Sequence, residues 1–187
     1  MAKINLPPGI KINRRLKGVK TRPFSNAYDW RPRSSKMQVR GRVANFTDVF
    51  AGFETVPSVK RAFGKRTARI LAKLKVGVYD GTGYAWVDEG RNRIMINKKY
   101  LERGRQIYLY LDIVHELMHF RQHMEGADLW DEKYQYVDRP TEIEAYRASV
   151  AEAKRLGMSK KEIASYLYMS WLTNEQFKRL LKNAKAN

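Results

Sequence analysis

The sequence predicts an α+β fold, a small and mostly antiparallel sheet packed on helices, with an extended basic arm at the N-terminus. Three observations carry that expectation. Three short β-rich segments follow one another between residues 76 and 96, separated by turn-forming residues. The stretch Ile107–Met124 is free of Gly and Pro and places Ile107, Leu111, Val114 and Met118 on one helix face. Residues 1–45 show neither pattern, and Pro7, Pro8, Gly9, Gly18, Pro23, Pro32 and Gly41 interrupt them.

In chain order, residues 1–45 form the arm and 46–187 the domain. Basic residues recur along the arm at Lys11, Arg14, Arg15, Lys17, Lys20, Arg22, Arg31, Arg33, Lys36, Arg40 and Arg42, with Phe24, Tyr28 and Trp30 among them. Phe46, Phe50 and Phe53 suit a short amphipathic turn docked on the core. After Pro57 and Ser58, a helical pattern runs through Val59, Ala62, Phe63, Ala68, Ile70, Leu71 and Leu74. The strand signals are Val76–Tyr79, Tyr84–Val87 and Arg93–Ile96. The helix from Ile107 stops at Gly126, and a second runs from Thr141 to Leu156 before Gly157. Ser159 with Glu162 has capping-box spacing, and so has Thr173 with Gln176.

The 187 residues are 43% hydrophobic and 30% charged, a globular balance that leaves room for a real core. The net charge of +18 is unevenly spread: residues 1–75 hold 19 Lys and Arg against three acids, and residues 76–187 hold 18 against 16. The arm therefore invites a polyanion such as RNA, the ribosome or DNA. The absence of cysteine excludes disulfides and thiolate metal sites, and fits a reducing, cytoplasmic setting. No apolar run suits a signal peptide or a membrane span, so no membrane partner is expected.

His115-Glu116-Leu117-Met118-His119 spells HExxH inside the long helix. Histidines at i and i+4 lie one above the other and can share one Zn²⁺. Glu116 is rotated about 100° from His115 and is placed to take a proton from water. His123, a further four residues on, lies about 12 Å along the axis from His115, too far to close on the same ion. A third ligand must then be a carboxylate. Thr141 and Glu144 have capping-box spacing, so Glu142 is the expected ligand and Glu144 the alternative. Tyr134, Tyr136, Tyr146, His123 and Arg147 are candidate donors to a developing oxyanion.

HExxH followed by Glu142-Ile143-Glu144-Ala145 on a second helix resembles the gluzincins, and most closely the minigluzincins and the ImmA/IrrE-type metallopeptidases. The likeness covers roughly residues 57–157. It implies a zincin-like active-site helix, His115, His119 and Glu142 as zinc ligands, Glu116 as base and acid, and a peptide or protein substrate. It also implies that Arg93–Asn97 is the edge strand that binds extended substrate. Tyr146 departs from the resemblance, since many gluzincins carry Asp or Asn there, and Arg121 stands at a position usually hydrophobic. The expectation is thus a zinc metallopeptidase, tethered to a nucleoprotein by its arm. The alternative is a nucleic-acid- or ribosome-binding protein whose zincin-like core is structural or idle.

Overall fold

The structure is a computed structural model that describes residues 4–30 and 35–186, with side chains throughout except at 28–30 and 35–37. Arg31 and Arg33 of the arm lie outside the described residues, as do the side chains of Tyr28, Trp30 and Lys36. The fold is α+β. From the N-terminus come β1 (Lys11–Ile12), β2 (Arg22–Trp30), β3 (Ser35–Asn45), α1 (Phe46–Val49), β4 (Phe50–Ala51), α2 (Pro57–Phe63) and α3 (Thr67–Lys73). Then follow β5 (Lys75–Asp80), β6 (Ala85–Asp88), β7 (Arg93–Asn97), α4 (Lys98–Arg103), α5 (Gln106–Met124), α6 (Pro140–Arg155), α7 (Lys160–Leu167) and α8 (Asn174–Asn183).

The arm is not an extension apart from the domain. β2 and β3 pair along their length, and β3 pairs with β5, so the five-stranded sheet has the order β2-β3-β5-β7-β6. All neighbours are antiparallel except β5 and β7. Pro23 is tolerated because β2 is an edge strand, where a missing N–H costs little. Gly41 is required by close approach: a Cβ there would lie 2.1 Å from the Val78 carbonyl oxygen and 2.8 Å from the Phe24 ring. Upstream, β1 pairs with β4, and Arg14 donates to the carbonyls of Leu101 and Gly104 at 3.0 and 2.7 Å, closing the C-terminal end of α4.

Alternation along the strands gives the sheet two faces. Val76, Val78, Ile94, Ile96 and Val87 turn into the main core with the helices, whereas Val39, Tyr79 and Met95 form a smaller cluster with Phe24 and Trp86. Phe46, Phe50 and Phe53 are fully buried, with ring centroids 5.3–5.9 Å apart, so the expected amphipathic turn is a three-ring anchor of the core. The single helix expected over 59–74 is two. Gly64 at φ +58° ends α2, and a tight turn leads into α3.

The helices that frame the site are locked by one carboxylate. Glu152 on α6 accepts from the backbone N–H and hydroxyl of Ser58 on α2, from the Tyr110 hydroxyl on α5 and from Arg155, at 2.6–3.1 Å. Burial pushes its carboxyl up, but Arg155 and Ser58 overrule it and hold the group below its usual range. Both capping boxes, Ser159 with Glu162 and Thr173 with Gln176, are formed. Among the described residues, no helix is long and apolar enough to cross a membrane.

Candidate metal centre

α5 runs for 19 residues and is buried around most of its circumference, so His115, Glu116 and His119 are only 7% exposed. α6 packs against it and brings Glu142 in its first turn to the same depth. Glu142 Oε2 lies 3.4 Å from His115 Nε2 and 3.5 Å from His119 Nε2, and the two ring nitrogens are 2.9 Å apart. Donors about 2.0–2.2 Å from a tetrahedral ion sit about 3.3–3.6 Å from one another. Two of the three edges match, and the His–His edge is a few tenths of an ångström shorter. Glu142 Oε2 is buried without a hydrogen bond. An orphaned carboxylate oxygen facing two imidazole nitrogens is what a two-His, one-Glu site for a divalent cation requires.

The electrostatics agree. Burial works against the charged form of His119, but the facing Glu142 carboxylate wins and lifts it to about 9. Burial likewise works against Glu142, and the two histidines hold it well below the usual range. His115 is pushed down by burial and by the charge on His119. The pocket thus favours one positive charge at the point where the three side chains meet. Glu116 is driven up to about 8, chiefly by burial, and its Oε2 has no hydrogen-bond partner.

A second layer orients the first. His119 Nδ1 is 2.8 Å from Gln122 Oε1, which leaves Nε2 for the metal side when Nδ1 carries the proton. Gln122 Nε2 donates to the Thr141 carbonyl and to Glu144, and Arg121 pairs with Glu144 and Glu125. Arg139 approaches the other Glu142 oxygen at 3.9 Å. His115 Nδ1 has no such partner; the Tyr146 ring packs against the imidazole at 4.3 Å between centroids.

Several expectations change here. Thr141 and Glu144 do not form a capping box: Pro140 occupies the first helical position, Arg139 is the N-cap, and the Thr141 hydroxyl is unpartnered. Glu144 instead supports Gln122, while Glu142 faces the histidines. Arg93–Asn97 is not the edge strand, because β7 lies between β5 and β6; the edge is β6. His123 meets Asn92 and Glu89 rather than the cluster, and Arg147 bonds the Asn183 carbonyl. Tyr134 is an exposed side chain and does not line the cleft beside His115 and Glu116.

That cleft has a volume of about 440 Å³ and is lined by His115, Glu116, Tyr136, Tyr146 and the start of β6 at Ala85. The hydroxyls of Tyr136 and Tyr146 are 2.6 Å apart, and burial and the Glu142 charge push both well above the usual phenol range. Sequence reasoning overlooked Asp112 and Gln122. Asp112 precedes Glu116 by one helical turn and Gln122 follows His119 by one, so helical spacing alone could have found both. Of the arm residues, Lys11, Arg15, Lys17, Lys20, Arg22, Arg40 and Arg42 are exposed, whereas Arg14 is tied to α4. No protein-family model, curated protein or solved structure matches this chain.

Proposed function

We propose that this chain is a zinc-dependent metallopeptidase of gluzincin type. The observation that carries the proposal is the meeting of His115, His119 and Glu142 around one buried point, with the unpartnered Glu116 carboxylate beside it in an open cleft. A Zn²⁺ held by these three side chains would polarise a peptide carbonyl and acidify water. Glu116 then takes a proton at Oε2 and returns it to the leaving amine. Tyr136 or Tyr146 donates a hydrogen bond from its hydroxyl to the oxygen on which charge develops. The peptide backbone runs along β6, the edge strand beside the cleft. A cysteine-free protein of this kind suits a reducing cytoplasm.

The exposed basic residues of β2, β3 and the preceding segment favour a second role, holding the enzyme on a polyanion such as RNA, the ribosome or DNA. The alternative, a polyanion-binding protein with an idle core, shares that observation and parts from the first at catalysis. The deciding experiment loads the protein with zinc and follows cleavage of a denatured protein substrate by wild type and Glu116→Gln. Cleavage by wild type with none by the variant, at equal zinc content, supports the peptidase. Equal activity of the two overturns it.

A further inference from the structure

The chain carries 37 Lys and Arg, yet among the described residues none lines the cleft beside the metal site. Its charged groups are acids. Asp112 lies one turn ahead of Glu116 on α5, about 6 Å along the helix axis. Its Oδ1 accepts from the Tyr166 hydroxyl at 2.9 Å and its Oδ2 from the Tyr100 hydroxyl. An ionised carboxylate offers about four acceptor positions, so these two bonds fix its direction and leave capacity for a ligand.

The walls are aromatic to an unusual degree. Tyr84, Tyr168 and Trp171 line the cleft while 67%, 63% and 60% exposed, and they are half of the large hydrophobic side chains left exposed among the described residues. Their rings are braced: Tyr84 on Tyr100 at 4.8 Å, Trp171 on Tyr136 at 5.0 Å and Tyr168 on Phe177 at 5.6 Å. Exposed aromatic faces gathered around a carboxylate form a cation receptor, in which ring quadrupole and ion pair act together.

We propose that this cleft selects a basic side chain, Lys or Arg, next to the peptide bond presented to the metal, with Asp112 as its charged partner and the rings of Tyr84, Tyr168 and Trp171 as its walls. The inference rests on the peptidase reading for the identity of the ligand as a peptide, and adds its specificity. A long basic side chain spans the turn between Glu116 and Asp112 while its backbone stays at the metal. An acidic side chain reaching past the metal would meet the Asp112 carboxylate, and among the described residues no Lys or Arg lines the cleft there to offset it. A purely apolar one would desolvate the Asp112 carboxylate and add no cation to its two tyrosine hydrogen bonds.

The test is binding, so it does not depend on turnover. Zinc-loaded Glu116→Gln protein is titrated with short peptides blocked at both ends that differ at one central residue, Arg, Lys, Leu or Glu. The Arg and Lys peptides should bind about tenfold or more tighter than the others, and Asp112→Asn should erase most of that preference. Tyr168→Ala and Trp171→Ala, at exposed positions, should weaken the basic peptides several-fold. Equal or tighter binding of the Leu or Glu peptide overturns the inference, as does an unchanged preference in folded Asp112→Asn. If Asp112→Asn does not fold, the ranking of the four peptides decides alone. Retained preference for Arg and Lys in a protein that cleaves nothing would remove the peptidase mechanism and keep the receptor.

Discussion

The cleft on α5 and the N-terminal strands carry opposite electrostatic signs within one chain. Around His115, His119 and Glu142 the charged groups are buried, mutually oriented and acidic in balance. Along the segment before β2, and on β2 and β3, the cations stand in solvent, Arg40 and Arg42 among them. Buried charge of the first kind demands a specific ligand, because few geometries satisfy it. Solvated charge of the second kind binds any polyanion and gives up its counterions on doing so. On the proposed reading, one region selects and the other holds.

The sharpest way to break this contrast is to remove the selective part. His115→Ala or His119→Ala should take zinc from about one per chain to near zero by elemental analysis. Glu116→Gln should keep the metal and lower peptide cleavage by about 10²–10⁴-fold. Metal retained at full stoichiometry in both histidine variants would place the ion elsewhere.

The holding part should respond to salt instead. If about six cations touch phosphate, affinity for RNA should fall on the order of 10³-fold between about 50 and 200 mM salt. Arg40→Glu with Arg42→Glu should flatten that dependence while zinc content stays constant. Deleting residues 1–45 would not be a clean probe, since it would strip β3 from β5. A flat salt response of the wild type would make this face a matter of solubility only.

Glu142 and Glu144 sharpen the comparison within the site. Glu142→Ala removes a proposed ligand, whereas Glu144→Ala loosens Gln122 and through it His119, and should weaken zinc binding about 10–100-fold. Competition with a chelator ranks the two, and the reverse order would make Glu144 the ligand. The choice of Glu142 was available from the sequence, but for a reason that does not hold. Thr141 and Glu144 have the spacing of a cap, and Pro140 starts the helix one residue earlier.

That case shows what is legible. HExxH, Ser159 with Glu162 and Thr173 with Gln176 are relations within one helix, where spacing is geometry. The strand order is set by partners far along the chain, so β7 passed for an edge and β6 did not. β2 and β3 were hidden because Pro23 and Gly41 signal breaks. Only the edge position of one and the ring lying over the other make them strand residues. The tyrosines of the cleft come from β6, α4, α5, α6 and α7 and their flanking segments, and no local pattern assembles them.

The smallest effect concerns the frame. Glu152→Gln should destabilise the fold by about 1–3 kcal/mol, since Ser58, Tyr110 and Arg155 lose a charged acceptor. Because its folded-state carboxyl is held below the usual value, Glu152 contributes stability that is complete above the unfolded value of about 4.3. That share is lost as pH falls through the folded value. Urea melts of wild type and variant should therefore converge on acidification below about pH 4. A constant gap would show that packing, not charge, is what Glu152 supplies.

β6 has only four residues. At about 3.3 Å per residue it offers roughly 13 Å of pairing edge. A polypeptide laid against it would be gauged over a few residues and no more, so the proposed peptidase would act as a short ruler, measuring the neighbourhood of one bond and ignoring the rest of the chain. At this end of the sheet the same brevity has a second effect, for an edge this short is a poor template on which further copies could add.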